Sequence, residues 1–248
     1  MKYKIIDEKY LTLIQNIKKY FTSATDTIWD KRNKINIVTF QKEPLLVKSF
    51  KIPHLINKVA YSFFRDSKAK RSYTHSLRIL KYVPKPIGYV ELYRFGLLYE
   101  SYFVSQKYVY DFTIREVLNS DNFPNKNEIL KQLANFTYTL HQDNIEHIDY
   151  SLGNILIKKI DEKYYEFKIV DVNRMHFKEL NIEERLANFS RLFVKSEDFD
   201  KLIIYYASFA GIDKVQALEI ANRIALQQHK KRILKQKFLK FPIAKFSS

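Results

Sequence analysis

The sequence predicts an α+β chain of two lobes, an antiparallel sheet with a packed helix followed by a mainly helical lobe. Three observations predict it. Residues 1–104 are rich in short β-type runs bounded by Pro84, Pro86 and Gly96. From about residue 105 the apolar spacing lengthens to that of amphipathic helices. Between those helices, in HIDYSLGNILI (His147–Ile157), an aspartate, a glycine and an asparagine separate two apolar runs. Strands first and helices after suggest lobes at 1–104 and 105–248 with a cleft between them.

Each element has its own signal. Tyr10, Leu13, Ile14, Ile17 and Phe21 recur at helical spacing, so residues 7–21 read as a helix. KINIVTF (Lys34–Phe40) and LLVKSF (Leu45–Phe50), joined by a QKEP turn, read as a hairpin with Lys48 on its second strand. Residues 67–82 are helical again, with Ala69, Tyr73, Ser76, Leu77 and Leu80 on one face. Val83–Val104 supplies two more strands. Ile129, Leu133, Phe136 and Leu140 mark a helix at 128–142 that runs into the motif. After it, NILIKK (Asn154–Lys159) and YYEFKIVDV (Tyr164–Val172) read as a hairpin, and from Ile182 the chain is helix after helix.

Composition excludes several classes. The absence of cysteine removes a disulfide scaffold and a thiolate metal site. His54, His75, His176 and His229 have no metal-ligand spacing. MKYKIIDEKY has no continuous apolar core for a signal peptide, and the longest apolar run, Leu202–Ile212, is too short to span a bilayer. A protein made and kept on the cytoplasmic side is expected. The 43 basic residues exceed the 27 acidic ones, giving +16. Basic residues gather at Arg65–Lys85 and His229–Ser248. Such a surface suits a polyanionic partner, and a lysine-rich solvated face accounts for it equally well.

Three separated pieces invite one explanation. Asp149 and Asn154 share a loop, Asp171 ends a later strand, and Lys48 lies on an earlier one. A strand-turn-strand unit between Asn154 and Asp171 can return both oxygen donors to one edge, as a magnesium ion completed by phosphates and water requires. Asp149 is placed to take a proton from a hydroxyl attacking phosphorus. Lys48 offers a point charge for the inner phosphates. Gly153 is expected to let the backbone turn tightly before Asn154.

His147-Ile148-Asp149 with Asn154, then Asp171-Val172-Asn173, resembles the catalytic loop and metal motif of the protein-kinase-like superfamily. Four ordered blocks, at Val47–Tyr73, Val83–Glu91, Asp149–Leu156 and Val170–Met175, resemble the lipopolysaccharide kinase family, the Kdo/WaaP group, over roughly residues 25–195. The resemblance implies a two-lobed protein-kinase-like fold and transfer of the ATP γ-phosphoryl group to a Kdo or heptose hydroxyl of the lipopolysaccharide inner core. It makes Asp149 the base, Asn154 and Asp171 the Mg2+ ligands, and Lys48 the phosphate-binding lysine. His147 becomes a residue that orients the loop, and the adenine-contacting hinge falls near Tyr102–Val104, by backbone. The implied partners are the inner-core glycolipid and an anionic membrane surface, with no nucleic acid expected. The tail Arg232–Phe246 reads either as an interfacial segment or as a solvated helix.

The sequence departs from the kinase pattern in three places. FTSATDTIWDK (Phe21–Lys31) has no glycine where a glycine-rich loop would lie. Ser67–Tyr89 holds no Asp or Glu where kinases place the lysine's glutamate partner, expected near Thr74 or His75. Asn173 stands for the usual glycine, and asparagine tolerates a left-handed backbone better than most residues. A nucleotide-binding pseudoenzyme, or a phosphotransferase with another acceptor, is the alternative these departures leave open.

Overall fold

The computed structural model describes residues 1–30, 33–50, 61, 65–192 and 196–240. His54 and the end of the basic tail lie outside them. The chain forms two compact units that follow strand pairing rather than chain order. The first takes Met1–Thr113, Asn154–Ile160 and Glu166–Met175, and the second takes Ile114–Gly153, Asp161–Tyr165 and the chain from His176.

The first unit is built on a six-stranded antiparallel sheet. Its strands are β1 (Lys2–Ile5), β2 (Asp26–Asp30), β3 (Asn33–Phe40), β4 (Glu43–Phe50), β5 (Pro86–Arg94) and β6 (Leu97–Gln106), in the order β1-β5-β6-β4-β3-β2. The β3–β4 hairpin closes through Gln41 and Lys42 alone, both left-handed at φ 49° and 68°. Such a turn matches the strand twist. The expected QKEP turn is therefore two residues shorter, and Pro44 pairs with Thr39 inside the ladder.

The segment expected to be one helix is two, α1 (Leu11–Gln15) and α2 (Ile17–Thr22). They break at Asn16, whose side-chain amide donates to the Thr12 carbonyl that its own backbone amide also uses. Tyr10, Leu13, Ile14, Ile17 and Phe21 still bury together, against Val38, Leu45, Val47, Ile87, Val90, Tyr102 and Val104 of the sheet. A second cluster gathers Phe50 and Tyr89 with Ala69 and Tyr73 of α3 (Lys68–Arg78). Ser67 caps α3, its hydroxyl accepting from the Lys70 amide. Leu77 and Leu80, expected on the buried face, are exposed. Within α3 the buried stripe is Ala69, Ser72, Tyr73 and Ser76, which leaves Leu77 outside it, and Leu80 lies past the helix end in a short 3-10 turn.

Strands β7 (Phe112–Thr113), β9 (Ile155–Lys159) and β10 (Tyr165–Ile169) make a small sheet in the order β10-β9-β7. In the second unit, β8 (Ile145–His147) follows α4 (Ile114–Asn119) and α5 (Lys126–Gln142). After them come α6 (Ile182–Phe189), α7 (Ser196–Ala210) and α8 (Lys214–Lys240). Asn181 and Glu184 form a reciprocal capping box at the start of α6. Ile129, Leu130, Leu133, Phe189, Leu202 and Tyr206 are among its fully buried residues. Lys126 at the start of α5 pairs with Asp198 of α7 at 2.7 Å, both side chains nearly buried.

Candidate functional site

In the first unit the site begins with strand alternation. Leu45 and Val47 enter the core beneath α1 and α2, so Lys48 shares the opposite face with Phe50. Its ammonium lies 5.2 Å from the Phe50 ring and is nearly buried. It donates to Asp171 Oδ1 at 2.5 Å. The carboxylate that reaches the lysine is therefore the one after β10, and no acid of α3 is needed for the pairing.

Asp171 itself has φ 60°, a left-handed conformation that aspartate adopts more readily than most residues. The left-handed residue of Asp171-Val172-Asn173 is thus the aspartate, where the sequence pointed to the asparagine. Asn173 is buried and its side-chain amide donates to the same Asp171 Oδ1 at 2.6 Å. The Val170 amide donates to the Asn154 carbonyl at 3.0 Å, which sets Asn154 beside the strand that delivers Asp171. From α3, His75 donates through Nδ1 to the Val172 carbonyl at 2.7 Å. Burial lowers the pKa of His75 below the ordinary histidine value, and its bond to Val172 opposes that shift.

Among the described residues no group of three His, Asp or Glu side chains is gathered that could hold a metal unaided. A magnesium ion carried by nucleotide phosphates needs fewer protein ligands. One carboxylate and one amide oxygen on adjoining backbone fit that demand.

In the second unit the loop after β8 is held from below. Tyr150 is fully buried, and its hydroxyl meets Thr137 Oγ1 of α5 at 2.7 Å. His147 is buried, and its Nδ1 accepts the Asp149 amide at 3.1 Å, so that nitrogen carries no proton. Asn188 of α6 donates to the His147 carbonyl at 3.0 Å, and the Ser151 amide to the Asp149 carbonyl at 2.7 Å. Asp149 itself remains partly exposed.

Gly153 does not occupy the left-handed region. A Cβ there would stand 2.8 Å from Arg115 Nη2, the tip of a flexible side chain that can move aside, so neither a tight turn nor close backbone demands the glycine. Val104 is fully buried in the core under α1 and α2 and pairs on both sides, with Val47 and Gly88. Its side chain therefore faces away from Lys48.

Sequence reasoning missed four supports: His75 on Val172, the Asn173 amide, Arg115 over Gly153, and Tyr150 on Thr137. Three of them join residues that are distant in sequence, and the Asn173 bond to Asp171 depends on the local turn at the left-handed Asp171. For His75 the one available signal was its place in a helix without an acid.

No family model matches the chain, and no curated protein matches its sequence. Among solved structures it is similar to one described as WaaP in complex with acyl carrier protein. The TM-score is 0.60 at 11% identity, covering 92% of this chain and 99% of that one. The likeness is one of fold. The chain has the α+β, two-lobed protein-kinase-like fold that its sequence led us to expect.

Proposed function

We propose that the protein is an ATP- and magnesium-dependent kinase that phosphorylates a Kdo or heptose hydroxyl of the lipopolysaccharide inner core. The observation that carries this reading is the Lys48–Asp171 pair, with Asn154 tied to the adjoining Val170, in a protein-kinase-like fold. The four sequence blocks and the fold likeness to a WaaP structure support the substrate class.

Magnesium-ATP, when bound, supplies the phosphoryl group and spreads the phosphate charge over the cation. Asn154 and Asp171 offer oxygen ligands to the cation. Lys48, already poised on Asp171, can turn its remaining donors to phosphate oxygens. Asp149 accepts the proton of the sugar hydroxyl as that oxygen bonds to phosphorus and the bond to the departing ADP oxygen breaks. The bonds that His147 and Ser151 make to the Asp149 amide and carbonyl hold the backbone that carries the carboxylate.

The acceptor is anionic, and the +16 charge favours approach to an anionic bilayer at roughly 1 kcal/mol per basic residue near the surface. Among the described residues no helix is long and apolar enough to cross a membrane, so the proposed association is peripheral.

The test is transfer of labelled γ-phosphate from Mg-ATP to Kdo-bearing lipid A and to heptosylated core. Asp149→Ala should lower transfer by about 10²- to 10⁴-fold, the range of a lost general base. Transfer that survives the substitution would remove Asp149 from this role. Tight Mg-ATP binding with no transfer to either acceptor would favour a nucleotide-binding pseudoenzyme or another acceptor. The acid-free segment Ser67–Tyr89 makes that second reading worth the experiment.

A further inference from the structure

We propose that His75 is the residue through which α3 positions the metal-binding loop, replacing an ion pair to Lys48 with a hydrogen bond to the Val172 carbonyl. This rests on the kinase reading above and adds to it how the helix is coupled to the site.

Three observations converge. First, α3 has no carboxylate to offer, since Ser67–Tyr89 contains neither Asp nor Glu. Second, Lys48 is paired with Asp171, so the lysine links β4 to the loop without passing through the helix. Third, α3 reaches the same loop one residue further on, His75 Nδ1 donating to the Val172 carbonyl at 2.7 Å.

The geometry makes this contact suited to positioning. Val172 is buried, so its carbonyl has little recourse to water. Asp171, immediately before it, sits in the left-handed conformation at φ 60°, which surrounding contacts must hold. A bond to the next carbonyl restrains the peptide unit that follows that strained residue. His75 itself is anchored near the helix end, where its carbonyl accepts from Ile79. Displacing α3 would therefore pull on the backbone that aims the Asp171 carboxylate, while Lys48 and Asn173 hold the carboxylate from the other side. His75 touches no reacting atom in this scheme and acts through the loop.

The test turns on which atom donates. In His75→Asn the side-chain amide nitrogen falls close to the place of Nδ1, whereas in His75→Gln it reaches toward Nε2. His75→Ala should weaken Mg-ATP affinity by about tenfold, the size of one lost hydrogen bond. His75→Asn should restore most of it and His75→Gln should not, while the Michaelis constant for the glycolipid acceptor stays unchanged. Hydrogen exchange in the ligand-free protein tests the tie apart from the kinase reading. Amides over residues 171–175 should exchange faster in His75→Ala and at the native rate in His75→Asn. Native exchange and native affinity in His75→Ala would overturn the proposal. So would equal losses in the Asn and Gln variants, which would make ring packing the cause. If the native protein binds no Mg-ATP yet the exchange pattern holds, the kinase reading fails and the tie stands.

Discussion

Lys48 and Asp171 stand in unequal surroundings, and that inequality decides what each substitution does. The lysine side chain is 10% exposed and the aspartate 32%. Asp171→Asn leaves a nearly buried ammonium against an uncharged amide, the costly way to break a buried pair. Lys48→Met removes the buried charge and leaves a carboxylate that Asn173 and water still serve. In the ligand-free protein Asp171→Asn should lower stability by about 2 kcal/mol, and Lys48→Met by less than about 1 kcal/mol. Denaturant midpoints give both numbers, and equal losses would mean that the lysine is better solvated than its burial implies. The types and order of the candidate residues, Asp149 and Asn154 in one loop and Asp171 after a later strand, were legible in the sequence. Their mutual contacts were not. Lys48 and Asp171 are 123 residues apart, and neither the left-handed Asp171 nor the Arg115 guanidinium over Gly153 leaves a local signal.

At the scale of elements, Gly88 decides whether β1 can join the sheet. It pairs with Ile5 on one side and Val104 on the other. A Cβ there would stand 2.6 Å from the Lys4 carbonyl oxygen, and backbone cannot yield as a side-chain tip can. Gly88→Ala should therefore cost about 1–3 kcal/mol, the usual range for overpacking. The loss should be local. Hydrogen exchange of Lys2–Ile5 should rise well before that of β4 or β6, and a uniform rise would show that β1 is not the yielding element. The same strand explains part of what the sequence could not tell. Lys2, Tyr3 and Lys4 are all exposed, so β1 has no alternating pattern to read, and only the partner strand makes it a strand. In β2, Asp26–Asp30 likewise shows no period of its own, and this part of the stretch where a glycine-rich loop would lie is an edge strand. By contrast β3, β4, β5, β6 and α5 carry strong periodicity and long apolar faces, and they lie close to where pattern places them.

For the whole molecule, the pH dependence of stability should carry the mark of one histidine. His141 of α5 is fully buried, stacks edge-on against Phe189 and Tyr206, and meets the Tyr206 hydroxyl at 2.8 Å through Nδ1. Burial pushes its pKa down to about 4 from an ordinary 6.5. Between those values the unfolded chain binds a proton that the folded chain refuses, so stability rises with pH across the window and is fully present above about 6.5. Acidifying from pH 7 to pH 4 should remove about 3 kcal/mol on this account alone, at 1.36 kcal/mol per pKa unit. The same acidification protonates carboxylates in a chain already at +16, which adds repulsion and steepens the fall. His141→Gln separates the two effects: it has no proton to gain, so its curve keeps the charge repulsion and loses the histidine step. Chemical denaturation at half-unit intervals from pH 4 to 7.5 should show the native and variant curves converging as the pH falls. Curves that stay parallel would mean that His141 accepts its proton while folded. The acid sensitivity of the molecule would then lie in its surface charge instead of its core.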